Sequence, residues 1–200
     1  MSKENKFYRF IYSLVYLPIS LLYRVKAVGR ENIPAGAAVY CANHSSWSDP
    51  FLLAFALKKK NYIHIMAKIE LFKNKFIGWI LRSIGMIPVN RDTADLNAIK
   101  MSLKYLRSDE NIGIFPEGTR ISDDFSVEAK TGAIKLAEKS GTPIVPVHIP
   151  RKKRLFGSVR VVIGEPYYVN SERKRLTPEE YNGLAQELMA QIKSLDPENL

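Results

Sequence analysis

Cysteine is nearly absent from this 200-residue sequence, and histidine is rare. The single cysteine, Cys41, cannot form an internal disulfide, and its place in an apolar run is typical of a small core residue rather than a nucleophile. His44, His64 and His148 lack the paired spacing of metal ligands, so we predict no metal site. These absences exclude a disulfide-stapled domain and favour a reducing, cytoplasmic setting.

A hydrophobic run long enough to span a membrane is also missing. The segment Phe10–Tyr23 is free of charge, but it has only fourteen residues and contains Pro18, whereas a spanning helix needs about 20 apolar residues. Its tyrosines and basic flanks are typical of a helix or helix pair lying in the membrane interface. We therefore predict a membrane-associating helical segment over residues 1–27 and a single domain over residues 28–200. A cleaved signal peptide and an ordinary core helix are the alternatives.

Acidic residues are outnumbered, with 20 Asp and Glu against 30 Lys and Arg and a formal charge of +10. This excess favours anionic partners, such as phosphates, acidic proteins or an anionic bilayer. No nucleic-acid-binding motif accompanies it, so we predict no nucleic-acid partner. The basic runs at residues 58–60, 151–154 and 173–175 could contact anionic lipid or an acidic carrier protein, or could serve solubility alone.

The periodicity of apolar residues predicts alternating strands and helices. Strands are expected at residues 37–42, 62–67, 86–89, 112–115, 144–149 and 159–163, and helices at 49–57, 69–83, 92–107, 129–139 and 178–195. Thr177 and Glu180 form a capping box for the last helix, and Gly141 is a helix stop. The order predicts one α/β domain with a mixed, largely parallel sheet flanked by helices and a site at the carboxyl ends of the strands.

The loop from Asn43 to Pro50 contains an imidazole and a carboxylate, those of His44 and Asp49. Five residues of strand or helix would point these side chains apart, so they can meet only across a turn. The loop lies between a predicted strand and a helix with Pro at its first position, which supplies that turn. The alternative is that Asp49 only caps the helix and His44 is an ordinary satisfied polar residue.

Three further segments carry candidate binding residues. In the turn Glu117–Arg120, Gly118 allows close approach to a ligand, and Thr119 and Arg120 offer donors to an oxyanion, although the turn can also be an ordinary surface turn. Arg91 follows a short strand, where it is either a second anion ligand or a solvated charge. Pro146 in the Val-Pro-Val run predicts an edge strand, a bulge or a pocket wall.

These four segments, in this order, resemble the glycerophospholipid acyltransferase family, in its 1-acylglycerol-3-phosphate acyltransferase branch. The resemblance covers about residues 28–166 and rests on the His-X4-Asp pair, Arg91, the Glu-Gly-Thr-Arg turn and the Val-Pro-Val strand. The chain departs from relatives at Ile121, where a small polar residue is common, and at Ala129, where an aromatic residue is common ahead of Lys130. Those departures affect the details of the substrate pocket.

The resemblance implies the glycerolipid acyltransferase fold and a role for each motif. His44 would act as general base, oriented by Asp49, and no serine of the loop need be a nucleophile. The phosphate of the acceptor would contact Arg91 and the turn, comprising Glu117, Gly118, Thr119 and Arg120. Since a carboxylate repels phosphate, we expect Glu117 to orient an arginine. Asn43, Lys130, Val145 and Pro146 are secondary candidates.

The implied reaction moves an acyl group from a thioester to the sn-2 hydroxyl of 1-acylglycerol-3-phosphate, giving phosphatidic acid. The co-substrate would be an acyl-carrier-protein or coenzyme A thioester, with no other cofactor. We expect a peripheral or monotopic position on the cytoplasmic face of the cell membrane. The alternatives are another lyso-acceptor such as a lyso-aminolipid, a non-enzymatic basic lipid-binding module and a thioesterase.

Overall fold

The computed structural model describes residues 6–90, 95–121, 129–169 and 176–197. Within these ranges the chain forms a seven-stranded sheet and six α-helices. The strands are β1 (Tyr23–Val28), β2 (Val39–Ala42), β3 (Ile63–Lys68), β4 (Ile87–Val89), β5 (Asn111–Ile114), β6 (Ile144–His148) and β7 (Gly157–Ile163). The helices are α1 (Lys6–Leu22), α2 (Asp49–Leu57), α3 (Lys75–Ser83), α4 (Leu96–Arg107), α5 (Gly132–Ser140) and α6 (Pro178–Ser194).

The strands follow the order β1-β7-β6-β2-β5-β3-β4 across the sheet. Five of the neighbouring pairs are parallel, and only β6 with β7 is antiparallel. The predicted mixed, largely parallel sheet is therefore confirmed. Parallel strands bring their carboxyl ends to one edge, so the loops after β2, β3, β5 and β6 meet there.

Helices cover both faces of the sheet, and each face has its own core. Along β2, Tyr40 and Ala42 face the core that includes α1 and α2, whereas Val39 and Cys41 face the core of α4, α5 and α6. This alternation is the period of two expected of a strand, although every β2 side chain is buried. The sheet is therefore enclosed on both sides, as parallel sheets generally are.

Most predicted helices are confirmed, with changes at their starts. The helix predicted over residues 69–83 is divided into a 3-10 turn, Ile69–Phe72, and α3, because Asn74 caps α3 through the amides of its first turn. Asp95 caps α4, which therefore starts later than predicted; residue 92 lies outside the described residues. The capping box of Thr177 and Glu180 forms as predicted. Gly141, in the left-handed conformation, ends α5.

The N-terminal segment is only partly helical. One continuous helix, α1, contains Pro18 and ends at Leu22. Residues 23–27, predicted as part of the helical segment, instead belong to β1, which pairs in parallel with β7. The sheet overrides the local pattern here because alternate β1 residues reach the core. Among the described helices none is long and apolar enough to cross a bilayer.

Pro146 does not lie in an edge strand, which corrects one of the readings of its position. β6 is flanked by β7 on one side and β2 on the other. The Pro146 carbonyl accepts a hydrogen bond from Gly164, just beyond the end of β7. A residue's N–H and C=O point to the same side of a strand. The missing N–H therefore faces the end of the β7 ladder and costs little pairing.

Candidate active site

The loop between β2 and α2 brings His44 and Asp49 into contact, as the sequence predicts. His44 Nδ1 lies 3.0 Å from Asp49 Oδ2. The same oxygen accepts the amides of Ser45 and Ser46, each at 2.7 Å. An ionised carboxylate only accepts hydrogen bonds, so Nδ1 carries the proton and Nε2 is the basic nitrogen of the neutral ring. The Phe115 ring stacks on the imidazole with centroids 4.3 Å apart.

Asp49 is not the helix cap that the alternative interpretation required. Ser48 occupies the cap position of α2, and its side chain makes no capping bond. The Asp49 carboxylate instead turns back to the amides that precede the helix. The Asp49 carboxylate therefore holds the loop and the imidazole in place and does not cap the helix.

The electrostatics of Asp49 favour its ionised form, although the residue is fully buried. Burial raises the pKa of this carboxyl. The hydrogen bond from His44, the positive charge of Lys153 and the loop amides together outweigh burial, so the pKa lies below its ordinary value. Asp49 therefore stays a carboxylate at neutral pH.

Two residues of the basic run after β6 reach this site, which the sequence pattern did not indicate. Lys153 Nζ lies 2.9 Å from Asp49 Oδ1 and donates to Ser45 Oγ at 2.9 Å. Arg151 donates to Glu117 Oε1 at 2.9 Å and to the carbonyl of Ile121 at 2.6 Å. The available signal was position, because the run directly follows the carboxyl end of a central strand.

The turn after β5 holds the backbone of His44. Glu117 Oε2 accepts the His44 amide at 2.5 Å, and the Ile121 amide donates to the His44 carbonyl at 2.8 Å. Glu117 thus orients an arginine, as expected, and that arginine is Arg151. The Glu117 side chain is almost fully buried, and burial raises the pKa of its carboxyl above the ordinary value despite the hydrogen bonds from His44 and Arg151.

The other residues of this turn point in different directions. Gly118, with φ +68°, packs so closely against Lys130 that an added Cβ would lie 2.8 Å from the lysine Cε. This glycine therefore makes room for a side chain of the protein itself. Thr119 and Arg120 are exposed. Arg120 lines the same cavity as His44.

Of the remaining predicted site residues, some make contacts within the fold and one lies outside the described residues. Asn43 donates to the Ile149 carbonyl and accepts its amide, so it joins the ends of β2 and β6. Val145 is buried in the core, and Pro146 lies beside it in β6. Arg91 is outside the described residues.

An apolar cavity of about 510 Å³ opens at His44. It runs between β3 and the helices α1, α2 and α3, with Tyr8, Tyr12 and Ile63 among its walls. Among the described residues, two cationic side chains line it, those of Lys68 and Arg120. Lys68 is the last residue of β3, Arg120 lies in the turn after β5, and His44 follows the end of β2. The cavity therefore combines a long apolar body with a polar, cationic mouth. Lys68 was not predicted, and its position at the end of β3 is the signal that could have indicated it.

In the described part of the chain, no three His, Cys, Asp or Glu side chains are grouped so that they could hold a metal ion. Cys41 is fully buried, and burial raises the pKa of its thiol, which suits a core residue. The chemistry available at this site is that of a base, a carboxylate and nearby cations.

A base oriented by a carboxylate beside an apolar cavity is suited to acyl transfer, and comparison with known proteins identifies the class. The Acyltransferase family model matches residues 24–150. The chain belongs to this family.

Similar proteins extend the comparison. A 1-acyl-sn-glycerol-3-phosphate acyltransferase of Bacillus subtilis is 35% identical over 94% of this chain and 96% of its own length. An enzyme of the same name from Streptococcus pneumoniae is 31% identical over 98% of this chain and 75% of its own. The crystal structure of the Thermotoga maritima 1-acyl-sn-glycerophosphate acyltransferase PlsC superposes with a TM-score of 0.65. It covers 98% of this chain and 79% of its own at 24% identity, a likeness of fold.

Proposed function

We propose that this protein transfers a fatty acyl group from an acyl thioester to the sn-2 hydroxyl of 1-acylglycerol-3-phosphate, yielding phosphatidic acid. The observation that carries the proposal is the His44–Asp49 pair at the cationic mouth of an apolar cavity. The names of the similar bacterial proteins support the same reaction.

The chemistry follows from the protonation state of the pair. His44 Nε2 removes the proton of the acceptor hydroxyl as its oxygen attacks the thioester carbonyl, a form of catalysis that contributes on the order of 10²- to 10⁴-fold. Asp49 stabilises the resulting imidazolium. When the tetrahedral intermediate collapses, the C–S bond breaks and the imidazolium returns its proton to the leaving thiolate. The products are an ester and a free thiol.

The substrates divide between the two parts of the cavity. The acyl chain occupies the apolar body, and the phosphate of the acceptor lies near Lys68 and Arg120. Arg91 belongs to the same proposal as a further phosphate ligand. Glu117 takes no direct part in phosphate binding, because both of its carboxylate oxygens are occupied by the protein.

The decisive experiment compares purified wild type with His44→Ala and Asp49→Ala. We expect wild type to convert 1-acylglycerol-3-phosphate and an acyl thioester to phosphatidic acid, His44→Ala to lose on the order of 10³-fold in kcat, and Asp49→Ala somewhat less. Full activity in either variant would rule out the dyad mechanism. Free fatty acid released with or without acceptor would instead identify a thioesterase.

Acceptor and donor are resolved by an activity matrix. Lyso-acceptors with and without a phosphate monoester, including a lyso-aminolipid, are combined with acyl-carrier-protein and coenzyme A thioesters. The two cations at the cavity mouth favour the phosphate monoester acceptor. Liposome binding without turnover of any pair would indicate a non-enzymatic lipid-binding module.

Association with a membrane surface is part of the proposal. Exposed aromatic residues lie near both ends of α1. The outward side of this helix carries an exposed apolar stripe, composed of Phe10, Leu14, Leu17 and Leu21. Trp79 contacts Phe7 near the start of α1, and the amide of Phe156 bonds the Leu22 carbonyl at its end. Together with the net positive charge, these features suit a peripheral or monotopic position on an anionic, cytoplasmic membrane face. Cosedimentation with anionic vesicles measures it.

A further inference from the structure

Lys153 has an unusual position for a lysine in a basic surface run. Its side chain is only 4% exposed, whereas the adjacent Lys152 is exposed to solvent. Lysine is rarely buried unless its charge is paired. The pairing is with Asp49 Oδ1 and with Ser45 Oγ, both at 2.9 Å. A buried cation therefore lies on the side of Asp49 opposite to His44.

The two carboxylate oxygens of Asp49 have separate partners. Oδ2 accepts the imidazole and two loop amides, and Oδ1 faces Lys153. Without the lysine, Oδ1 would be a buried charged atom without a cation, which is costly. Protonation of the Asp49 carboxylate, or its rotation away from His44, would relieve the uncompensated charge. Either change would alter the hydrogen bond that orients the His44 imidazole.

We propose that Lys153 is a positioning residue for acyl transfer: its ammonium group holds the Asp49 carboxylate in the orientation and charge state that His44 requires. The proposal rests on the function proposed above and adds a third member to the dyad. Lys153 acts through Asp49, with no role for direct contact with substrate.

The other charged groups around the dyad set the background for this effect. Glu117 and Arg151 form an ion pair behind the His44 backbone. Lys68 and Arg120 line the cavity that His44 faces. Replacing Lys153 removes none of these groups. The loss of one cation beside Asp49 then makes protonation of the dyad more favourable.

The test replaces Lys153 with Met, Gln and Arg and uses Lys152→Met as the matched control. Rates are measured across pH with varied acceptor, and thermal unfolding is measured for every variant. We expect Lys153→Met to lower kcat on the order of 10- to 100-fold at neutral pH, with little change in acceptor KM. The acid limb of its pH profile should move to higher pH by about one unit. Lys153→Arg should restore the position of the limb.

Each outcome decides the proposal. If Lys153→Met does not fold, Lys153→Gln, which retains a hydrogen-bonding group without the charge, carries the same expectation for the acid limb. A folded variant with an unmoved limb overturns the proposal, and a raised acceptor KM with unchanged kcat identifies Lys153 as a phosphate contact instead. Lys152→Met should match wild type. Failure of wild type itself to acylate the acceptor would refute the proposed function, which separates the two hypotheses.

Discussion

At the scale of single residues, the site depends on buried charges that satisfy one another. Asp49 and Glu117 are almost completely buried, and each is paired with a basic residue from the loop after β6. The direction of the pKa change differs between them. At Asp49 burial is outweighed by the hydrogen bond from His44 and the positive charge of Lys153, so the pKa lies below its ordinary value. At Glu117 burial outweighs the bonds from His44 and Arg151, so the pKa is raised. One acid is therefore reliably ionised beside the base, and the other is a backbone support.

The lowered pKa of Asp49 predicts a pH-dependent stability. A carboxyl whose folded pKa is depressed contributes stability above its unfolded pKa, about 3.9, and loses it as the pH falls through the folded value. We expect Asp49→Asn to lower the free energy of unfolding by about 3 kcal/mol near neutral pH, because one partner of a buried pair is lost. The difference from wild type should narrow below about pH 4.

Chemical denaturation at several pH values measures this difference. Glu165→Gln is the control, since it removes an exposed carboxyl and should leave the unfolding free energy nearly unchanged. A destabilisation by Asp49→Asn that stays constant down to about pH 2 would show that the ionised form is not what the fold requires.

At the scale of elements, the cavity is bounded by β3 and three helices. The six residues of β3 span about 16 Å. The strand begins at Ile63, at the end of the cavity remote from His44, and ends at Lys68, beside the mouth. Tyr8 of α1 contacts Tyr62 at the remote end, and the Tyr62 hydroxyl donates to the Ile84 carbonyl. Tyr8, Ile63 and Ile84 line the cavity at this end. We therefore expect its depth to be set where α1 and the end of α3 lie beside the start of β3.

A larger side chain at the remote end should shorten the preferred acyl chain. Ile84 lines the cavity and is only partly buried, so Ile84→Phe can fill the end without disrupting the core. We expect kcat/KM for long-chain donors to fall on the order of tenfold while that for shorter donors is retained. A donor chain-length series measures the ratio.

Ile77→Phe is the matched control, because Ile77 lies in α3, the helix that ends just before Ile84, but is exposed and is not among the residues that line the cavity. Its chain-length profile should equal that of wild type. An unchanged profile in Ile84→Phe would place the acyl chain elsewhere.

At the scale of the whole molecule, α1 belongs to the fold as well as to the outer surface. One side of the helix faces the core and the cavity, with Tyr12 packed on Phe55 and Ile19 buried. The opposite side exposes an apolar stripe at helical spacing, composed of Phe10, Leu14, Leu17 and Leu21. A monomeric protein in water rarely maintains such a stripe without a partner.

Changing the outward stripe should separate membrane binding from catalysis. We expect the double variant Leu14→Ser and Leu17→Ser to lose on the order of tenfold or more in partitioning to anionic vesicles, since two exposed apolar side chains are removed. Activity on detergent-dispersed substrates should stay near that of wild type. Vesicle cosedimentation and a micellar assay measure the two quantities.

The matched control for this variant lies on the inward side of the same helix. Val15→Ser changes a residue that lines the cavity, so it should impair turnover in micelles while leaving the outward stripe intact. Equal vesicle binding by wild type and the outward double variant would contradict membrane contact through α1.

The sequence by itself determined the alternation of strands and helices, the capping of α6 and the meeting of His44 with Asp49. These depend on local periodicity, turn chemistry and short spacing, which neighbouring residues encode. Only the tertiary structure decided that β1 joins the sheet, that Glu117 supports the His44 backbone and that Lys153 neutralises Asp49. Those contacts join residues far apart in the chain. β1 pairs with β7 along the sheet, and parallel strands bring the loops after β2, β5 and β6 together irrespective of sequence distance.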